Sequence, residues 1–236
     1  MIKYILFDLD GTLLPLDQEI FLKKYFKGLA EHVSHLGYTE QQISGAIWQG
    51  SKEMAKNDGS KTNEEVFWDT FIKICGEKVF SCKADFDSFY ETKFDSLSSV
   101  ATPDIHICEV IKELKSKGYT LAIATNPMFP KIATRKRIAW AGLDTNDFEF
   151  FTTYEDYRHC KPNLDYYQDV MDKLGANAEE CIMVGNDMLE DMIAERLGMK
   201  VFLVTQCLIN TKNEDINHYP HGTFDDLIDY INKTNG

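Results

Sequence analysis

Short apolar runs alternating with helical stretches constrain this chain more than any other feature of its sequence. The runs are 2–8 (IKYILFD), 119–124 (YTLAIA), 148–152 (FEFFT), 181–184 (CIMV) and 201–205 (VFLVT). Each has the length and β-former content of a buried strand and is stopped by polar residues. Helical patterns fill 104–117, 131–141, 164–174, 189–197 and 224–231, so helices separate the later strands. Strands joined through helices run parallel, and a parallel sheet is covered on both faces. The expected fold class is α/β, with a doubly wound parallel sheet.

One block interrupts the alternation. From Asp17 to about Phe94 only helical signals occur. Asp17 is placed to cap a helix whose apolar positions Leu22, Phe26, Leu29, Val33 and Leu36 recur at steps of three and four and end at Gly37. Thr39-x-x-Gln42 and Thr62-x-x-Glu65 both spell a capping box, and a fourth helix is expected over 85–94. NDG at 57–59 and Gly76 mark turns. Residues 16–95 thus read as an all-helical module inserted into a core made of 1–15 and 96–236. Trp48, Trp68 and the phenylalanines of this block are expected to be its core. Residues Gln49–Asn57 are expected to form a loop that lines a substrate pocket. His32 and His35 share a helix face but have no third ligand spaced to complete a metal site.

With 236 residues, 44% hydrophobic and 27% charged, the chain suits one large folded unit with an insert. A net charge of −13 argues against nucleic-acid and anionic membrane partners, which are bound by basic patches. No apolar run approaches the ~18 residues of a membrane span. Asp8 breaks the first apolar stretch too early for a signal peptide, so a cytoplasmic location is expected. The six cysteines form no C-x-x-C pair and are expected to be reduced, structural thiols, Cys160 beside Lys161 included. Neither G-x-x-x-x-G-K-[ST] nor G-x-G-x-x-G occurs, so no ATP loop or dinucleotide turn is expected. Arg135, Lys136 and Arg137 read as ion-pair partners on one helix, and Asp225-Asp226 as first-turn helix charge.

In parallel sheets, ligands bind outside the carboxyl ends of the strands. The first strand ends in Asp8 and Asp10, the 119–124 strand in Thr125-Asn126, and CIMV in Gly185-Asn186-Asp187. Lys161-Pro162 precedes the 164–174 helix. Two carboxylates as close as Asp8 and Asp10 repel unless a cation lies between them. Acids, a hydroxyl, an amide and one lysine suit a hard divalent cation with an anion held against it, the equipment of phosphoryl transfer.

These residues resemble the four motifs of the haloacid dehalogenase-like (HAD) superfamily of phosphohydrolases, in order and spacing: DLDGT at 8–12, Thr125 at a strand end, Lys161 in CKPN, and GNDMLED at 185–191. The resemblance covers the whole α/β core and implies a Rossmann-like sheet whose helical insert is the family's cap. Thr125 and Lys161 stand only 36 positions apart, so the family's other cap position is empty. By this resemblance Asp8 attacks phosphorus and forms an aspartyl-phosphate, while Asp10 protonates the leaving oxygen and then deprotonates water. Mg²⁺ is expected between Asp8, the Asp10 carbonyl and the fourth-motif acids. Asp187 is expected to contact it, with Asn186 and Asp191 in support. Thr125 and Lys161 are expected to bind phosphoryl oxygens, beside Leu9, Gly11, Thr12 and Asn126. Many relatives carry an acid directly after the fourth-motif glycine, where this chain has Asn186.

The implied activity is Mg²⁺-dependent hydrolysis of a small soluble phosphomonoester. A phosphomutase using the same nucleophile is an alternative, and a non-catalytic binding or regulatory protein on the same fold is a third. A dehalogenase is disfavoured because Asp10 is present.

Overall fold

The computed structural model describes residues 1–236. Its centre is a parallel sheet of five strands: β1 (Tyr4–Phe7), β2 (Thr120–Ile123), β3 (Cys181–Gly185), β4 (Lys200–Val204) and β5 (His221–Gly222). The strand order is β2-β1-β3-β4-β5. In register, Phe7 lies between Ile123 and Val184. The carboxyl ends of β1, β2 and β3 therefore open side by side, where the sequence places its motifs.

Alternate strand residues feed two apolar layers, as the two-residue period of a strand requires. Ile5, Phe7, Ile123, Val184 and Phe202 face one layer, beneath α5 (Ile105–Ser116), α6 (Lys131–Trp140) and α8 (Phe224–Asn235). Leu6, Ala122, Met183 and Leu203 face the other, beneath α7 (Leu164–Leu174). Both faces are covered, as expected of a doubly wound α/β sheet.

Between β1 and α5 every element is helical: α1 (Gln18–His32), α2 (Glu40–Met54), α3 (Asn63–Cys75), α4 (Lys83–Thr92) and intervening 3₁₀ turns. Asp17 caps α1, and Thr39 and Thr62 form the two capping boxes with Gln42 and Glu65. This segment shares one continuous apolar core with the α5, α6 and α8 side of the sheet. Phe94 stacks on Trp140 at 5.0 Å, and fully buried Asn63 donates from Nδ2 to the Pro127 carbonyl at 3.2 Å. His32 at the end of α1 bonds Ser88, and exposed His35 in the following 3₁₀ turn bonds Asp85, so the two histidines do not share one helix and both tie to α4. All six cysteines are free, and burial pushes the Cys160 thiol up, so it is not a reactive thiolate. No helix is long and apolar enough to cross a membrane.

Four further local expectations are corrected. Gln49–Met54 is the last part of α2 rather than loop, because the helix continues to Met54 before turning. Residues 148–152 run beside β2 and exchange three backbone hydrogen bonds with it, between Glu149 and Leu121, Ile123 and Phe150, and Thr152 and Ile123, but complete only one bridge, Ile123 with Phe151, so they form no separate strand. The 189–197 stretch is a turn followed by 3₁₀ helix over Met192–Leu197, because the buried Asp191 carboxylate is drawn to Lys161 and prevents a regular α start. Trp68 is core, but Trp48 is 52% exposed and carries Lys52 over its ring, so it is not part of the helical core.

Candidate active site

Asp8 follows the last residue of β1, and its backbone is fixed by the neighbouring β3: its N–H donates to the Val184 carbonyl at 2.9 Å. The next residues must turn sharply. Gly11 adopts φ +89°, and a Cβ there would also collide with Asn186, so two requirements exclude a side chain. Thr12 is fully buried, with its hydroxyl 3.0 Å from Asn186 Oδ1 and 3.4 Å from Asp8 Oδ2.

Lys161 crosses to this turn from the loop before α7. It is 1% exposed, and Nζ donates to Asp8 Oδ1 at 2.9 Å and to Asp191 Oδ1 at 2.6 Å. Burial alone would lower its pKa, but Asp191 and Asp8 outweigh that and hold it well above the ordinary lysine value. Asp191 uses its other oxygen to accept the Asp187 N–H at 2.9 Å. Its carboxylate packs against Gly185, where any Cβ would displace it. The glycine ending β3 is thus needed for the lysine bridge.

The remaining motif residues line a cleft of about 260 Å³ at the strand ends, bounded by Asp8, Asp10, Thr125, Asn126, Asp187 and Asp191. Thr125 is held through its carbonyl, which accepts from Tyr166 Oη at 2.8 Å and Thr152 Oγ1 at 2.5 Å, and its hydroxyl makes no bond within the protein. Asn126 donates to Glu190 at 3.0 Å, while its Oδ1 is buried without a partner. Asn186 lies behind the cleft: Oδ1 faces Thr12 and Nδ2 donates to the Cys207 carbonyl at 2.6 Å. Asp187 faces the cleft and also closes its own turn, accepting from the N–H groups of Leu189 and Glu190. Leu9 is fully buried in the apolar core.

Three further residues shape the site without having been assigned a place in it from the sequence. Arg137, 1% exposed on α6, pairs with Asp10 Oδ2 and stacks on Phe129 at 4.4 Å. Gln18 donates Nε2 to the Asp10 carbonyl at 3.1 Å. Glu190 lines the cleft, and burial pushes its carboxyl up to about 8 despite Lys161. Only Arg137 left a signal: it shares an i, i+3, i+4 stripe with Thr134, Ala133 and Ile138, all buried. Lys136, beside it, pairs with Asp95, as expected of a surface cation.

The electrostatics favour an added cation. Burial pushes Asp8 up to about 7, with Lys161 opposing and Asp191 and Asp10 adding to the rise. Asp10 is also raised by burial, against Arg137 and Lys161. Asp10 Oδ1 is buried with no partner at all. No three acidic, histidine or cysteine side chains enclose an ion by themselves. The donors are nonetheless all oxygen, the acids outnumber the two buried cations, and no lysine, arginine or histidine lines the cleft. Such a donor set fits a hard divalent ion that shares its coordination with a bound anion and water.

These shifts give a pH prediction. The folded carboxyls at about 7 and about 8 hold protons that the unfolded chain, near 3.8 and 4.5, has released. Folding stability in chelator therefore falls as pH rises from about 5 to about 8. Thermal melts in EDTA across that range check this, and a melting temperature that rises toward pH 8 contradicts it.

Comparison with known proteins agrees with the geometry. The family model for haloacid dehalogenase-like hydrolases matches residues 5–204. The pyrophosphatase PpaX of Oceanobacillus iheyensis is 27% identical over 236 residues, covering 98% of this chain and 95% of that protein. Its counterpart in Bacillus cereus is 26% identical over 207 residues, covering 88% and 85%. Among solved structures, a predicted phosphoglycolate phosphatase from Haemophilus somnus superposes with a TM-score of 0.61 at 18% identity, covering 98% of each chain. A HAD phosphatase from Thermococcus onnurineus gives 0.58 at 21% identity, also covering 98% of each. The structural likeness carries the fold, and the match to 5–204 carries the family: this chain belongs to the haloacid dehalogenase-like hydrolases.

Proposed function

We propose that the protein is a Mg²⁺-dependent phosphatase of small phosphomonoesters, with residues 16–95 acting as a cap over the cleft. The observation that carries this is the pairing of two unlike carboxyls: Asp8 bonded to a buried lysine, and Asp10 with one oxygen held by Arg137 and the other free. Asp8 attacks phosphorus through the oxygen not bonded to Lys161. The phosphorus–oxygen bond to the alcohol breaks, and Asp10 delivers a proton from its unpartnered oxygen to the departing alkoxide. Asp10 then takes a proton from water, whose oxygen attacks phosphorus and releases Asp8 and inorganic phosphate. Lys161 holds Asp8 in place, and the Thr125 hydroxyl is free to donate to a phosphoryl oxygen. Asp8, Asp187 and the Asp10 carbonyl are the groups suited to hold Mg²⁺. When bound, it would neutralise charge on the carboxylates and phosphate together.

Relatives named as pyrophosphatases raise pyrophosphate as a second substrate. The cleft gives it little support: no cation lines it, and Lys161 and Arg137 are already paired with carboxylates. A phosphomutase would share the first step and differ in excluding water. The test is phosphate release from a panel of monoesters and pyrophosphate, with Mg²⁺ and with EDTA. Release from monoesters that stops in EDTA and returns with Mg²⁺ is expected. Full activity in chelator, or hydrolysis of pyrophosphate alone, contradicts the proposal.

The fourth motif gives a sharper expectation. Asn186 has both side-chain atoms engaged behind the cleft, whereas Asp187 faces it. Asp187→Asn should raise the Mg²⁺ concentration for half-activity at least about tenfold, roughly 1.4 kcal/mol. Asn186→Ala should raise it less, and the reverse order in a Mg²⁺ titration would move the metal contact to Asn186.

A further inference from the structure

A second cavity, of about 140 Å³, lies within the helical segment against the cleft. Fourteen of its 17 lining residues are hydrophobic, and none is lysine, arginine or histidine. Leu22, Met128 and Phe129 line both spaces, so the two share a wall of three partly exposed, apolar side chains. The cavity's walls are aromatic: Tyr25, Phe67, Trp68, Phe71, Phe86 and Tyr154 contribute rings. The Tyr25 and Tyr90 hydroxyls bond one another at 2.6 Å, which leaves one O–H hydrogen of the pair without an acceptor. The buried Trp68 indole N–H faces the Tyr154 hydroxyl, also on the wall, without closing a well-aligned hydrogen bond to it.

An apolar void of roughly 150 Å³ stays dry and admits a benzene-sized ring. Rings packed edge-to-face, as Trp68 and Phe86 are at 86°, favour an aromatic guest by the same geometry. An anionic leaving group would meet no lysine, arginine or histidine there, and would meet Asp87, a like charge on the wall. A sugar would leave several hydroxyls facing apolar rings, at a cost for each unpaired group.

We propose that the cavity receives the leaving group of the substrate, and that this group carries a single aromatic ring. The phosphate then lies at Asp8 while the ring passes Leu22, Met128 and Phe129 into the helical segment. One hydrogen-bond acceptor on the ring's far side would satisfy the Trp68 N–H. This rests on the phosphatase reading of the cleft and adds the class of alcohol released.

The test compares 2-phenylethyl phosphate with ethyl phosphate, two primary alkyl esters that differ by the ring. With Mg²⁺ present, kcat/KM is expected to favour the phenylethyl ester at least tenfold. Ile47→Phe and Ser51→Leu, which fill the cavity from α2, are each expected to bring that ratio toward one. A wild-type ratio near one, or a ratio unchanged in a folded filler variant, overturns the proposal. Binding of 2-phenylethanol, followed by NMR contacts to the Trp68 indole N–H, is read separately and does not need turnover. Contacts there without hydrolysis of either ester would retain the cavity's ligand and remove the phosphatase reading. Absence of any contact with the indole at saturating alcohol counts against the cavity itself, whatever the enzyme hydrolyses.

Discussion

Asp8→Asn is expected to lower phosphate release by on the order of 10⁴-fold or more, the scale of losing a nucleophile that acts with its partners as a unit. An amide has no charged oxygen with which to attack phosphorus. It can still accept from Lys161, so the turn at the end of β1 is retained. Folding should not suffer and should gain at alkaline pH, because the aspartate there is ionised against burial that pushes it up to about 7. Loss of activity together with an unchanged or higher melting temperature at pH 8 is the expected pair of results. A variant that keeps more than a tenth of wild-type turnover contradicts the nucleophile assignment.

Lys161→Met is expected to be nearly as severe, and for a different reason. The lysine is the shared partner of two buried carboxylates, Asp8 at 2.9 Å and Asp191 at 2.6 Å. Removing one partner of a buried ion pair costs about 3–5 kcal/mol, because the remaining charge is left in a poorly solvated place. For a chain of this length that is a fall in melting temperature of roughly 10 °C. The loss should be smaller in acid, where Asp8 takes up a proton and no longer needs the cation. Phosphate release should fall by at least about a hundredfold at any pH, since only the long Thr12 contact at 3.4 Å would still hold the Asp8 carboxylate. A circular-dichroism melt and a phosphate assay on the same preparation separate the two effects. An unchanged melt would mean that the bridge seen around Lys161 contributes nothing to folding.

The sheet and the motif loops were legible because their signals are local. A strand that ends in Asp8 is read from four apolar residues, and Thr39-x-x-Gln42 and Thr62-x-x-Glu65 form their capping boxes through contacts within one turn. The misread stretches depend on distant partners. Residues 189–197 carry a helical spacing, but Asp191 is held by Lys161, thirty positions earlier, and the backbone follows it into a 3₁₀ turn. Residues 148–152 read as a strand, yet they complete only one bridge with β2, at Phe151, before the chain turns at Tyr154–Asp156. Arg137 was read as an ion-pair residue, and it is one. That its partner is Asp10, 127 positions away, follows only from how α6 docks. Trp48 shows the opposite case: an aromatic at helical spacing that the packing leaves at the rim of an apolar cavity. Asn186 and Asp187 are adjacent in sequence, and only the turn decides which of them faces the cleft.

Asp8 is expected to carry the phosphoryl group during turnover. The most direct test is acid quenching of the enzyme within the first turnover of a monoester, followed by peptide mass spectrometry. One phosphoryl group is expected on the peptide containing Asp8, absent from Asp8→Asn and discharged by water on the next step. A phosphoryl group on any other residue, or steady turnover with none trapped at Asp8 while its release is rate-limiting, would contradict it.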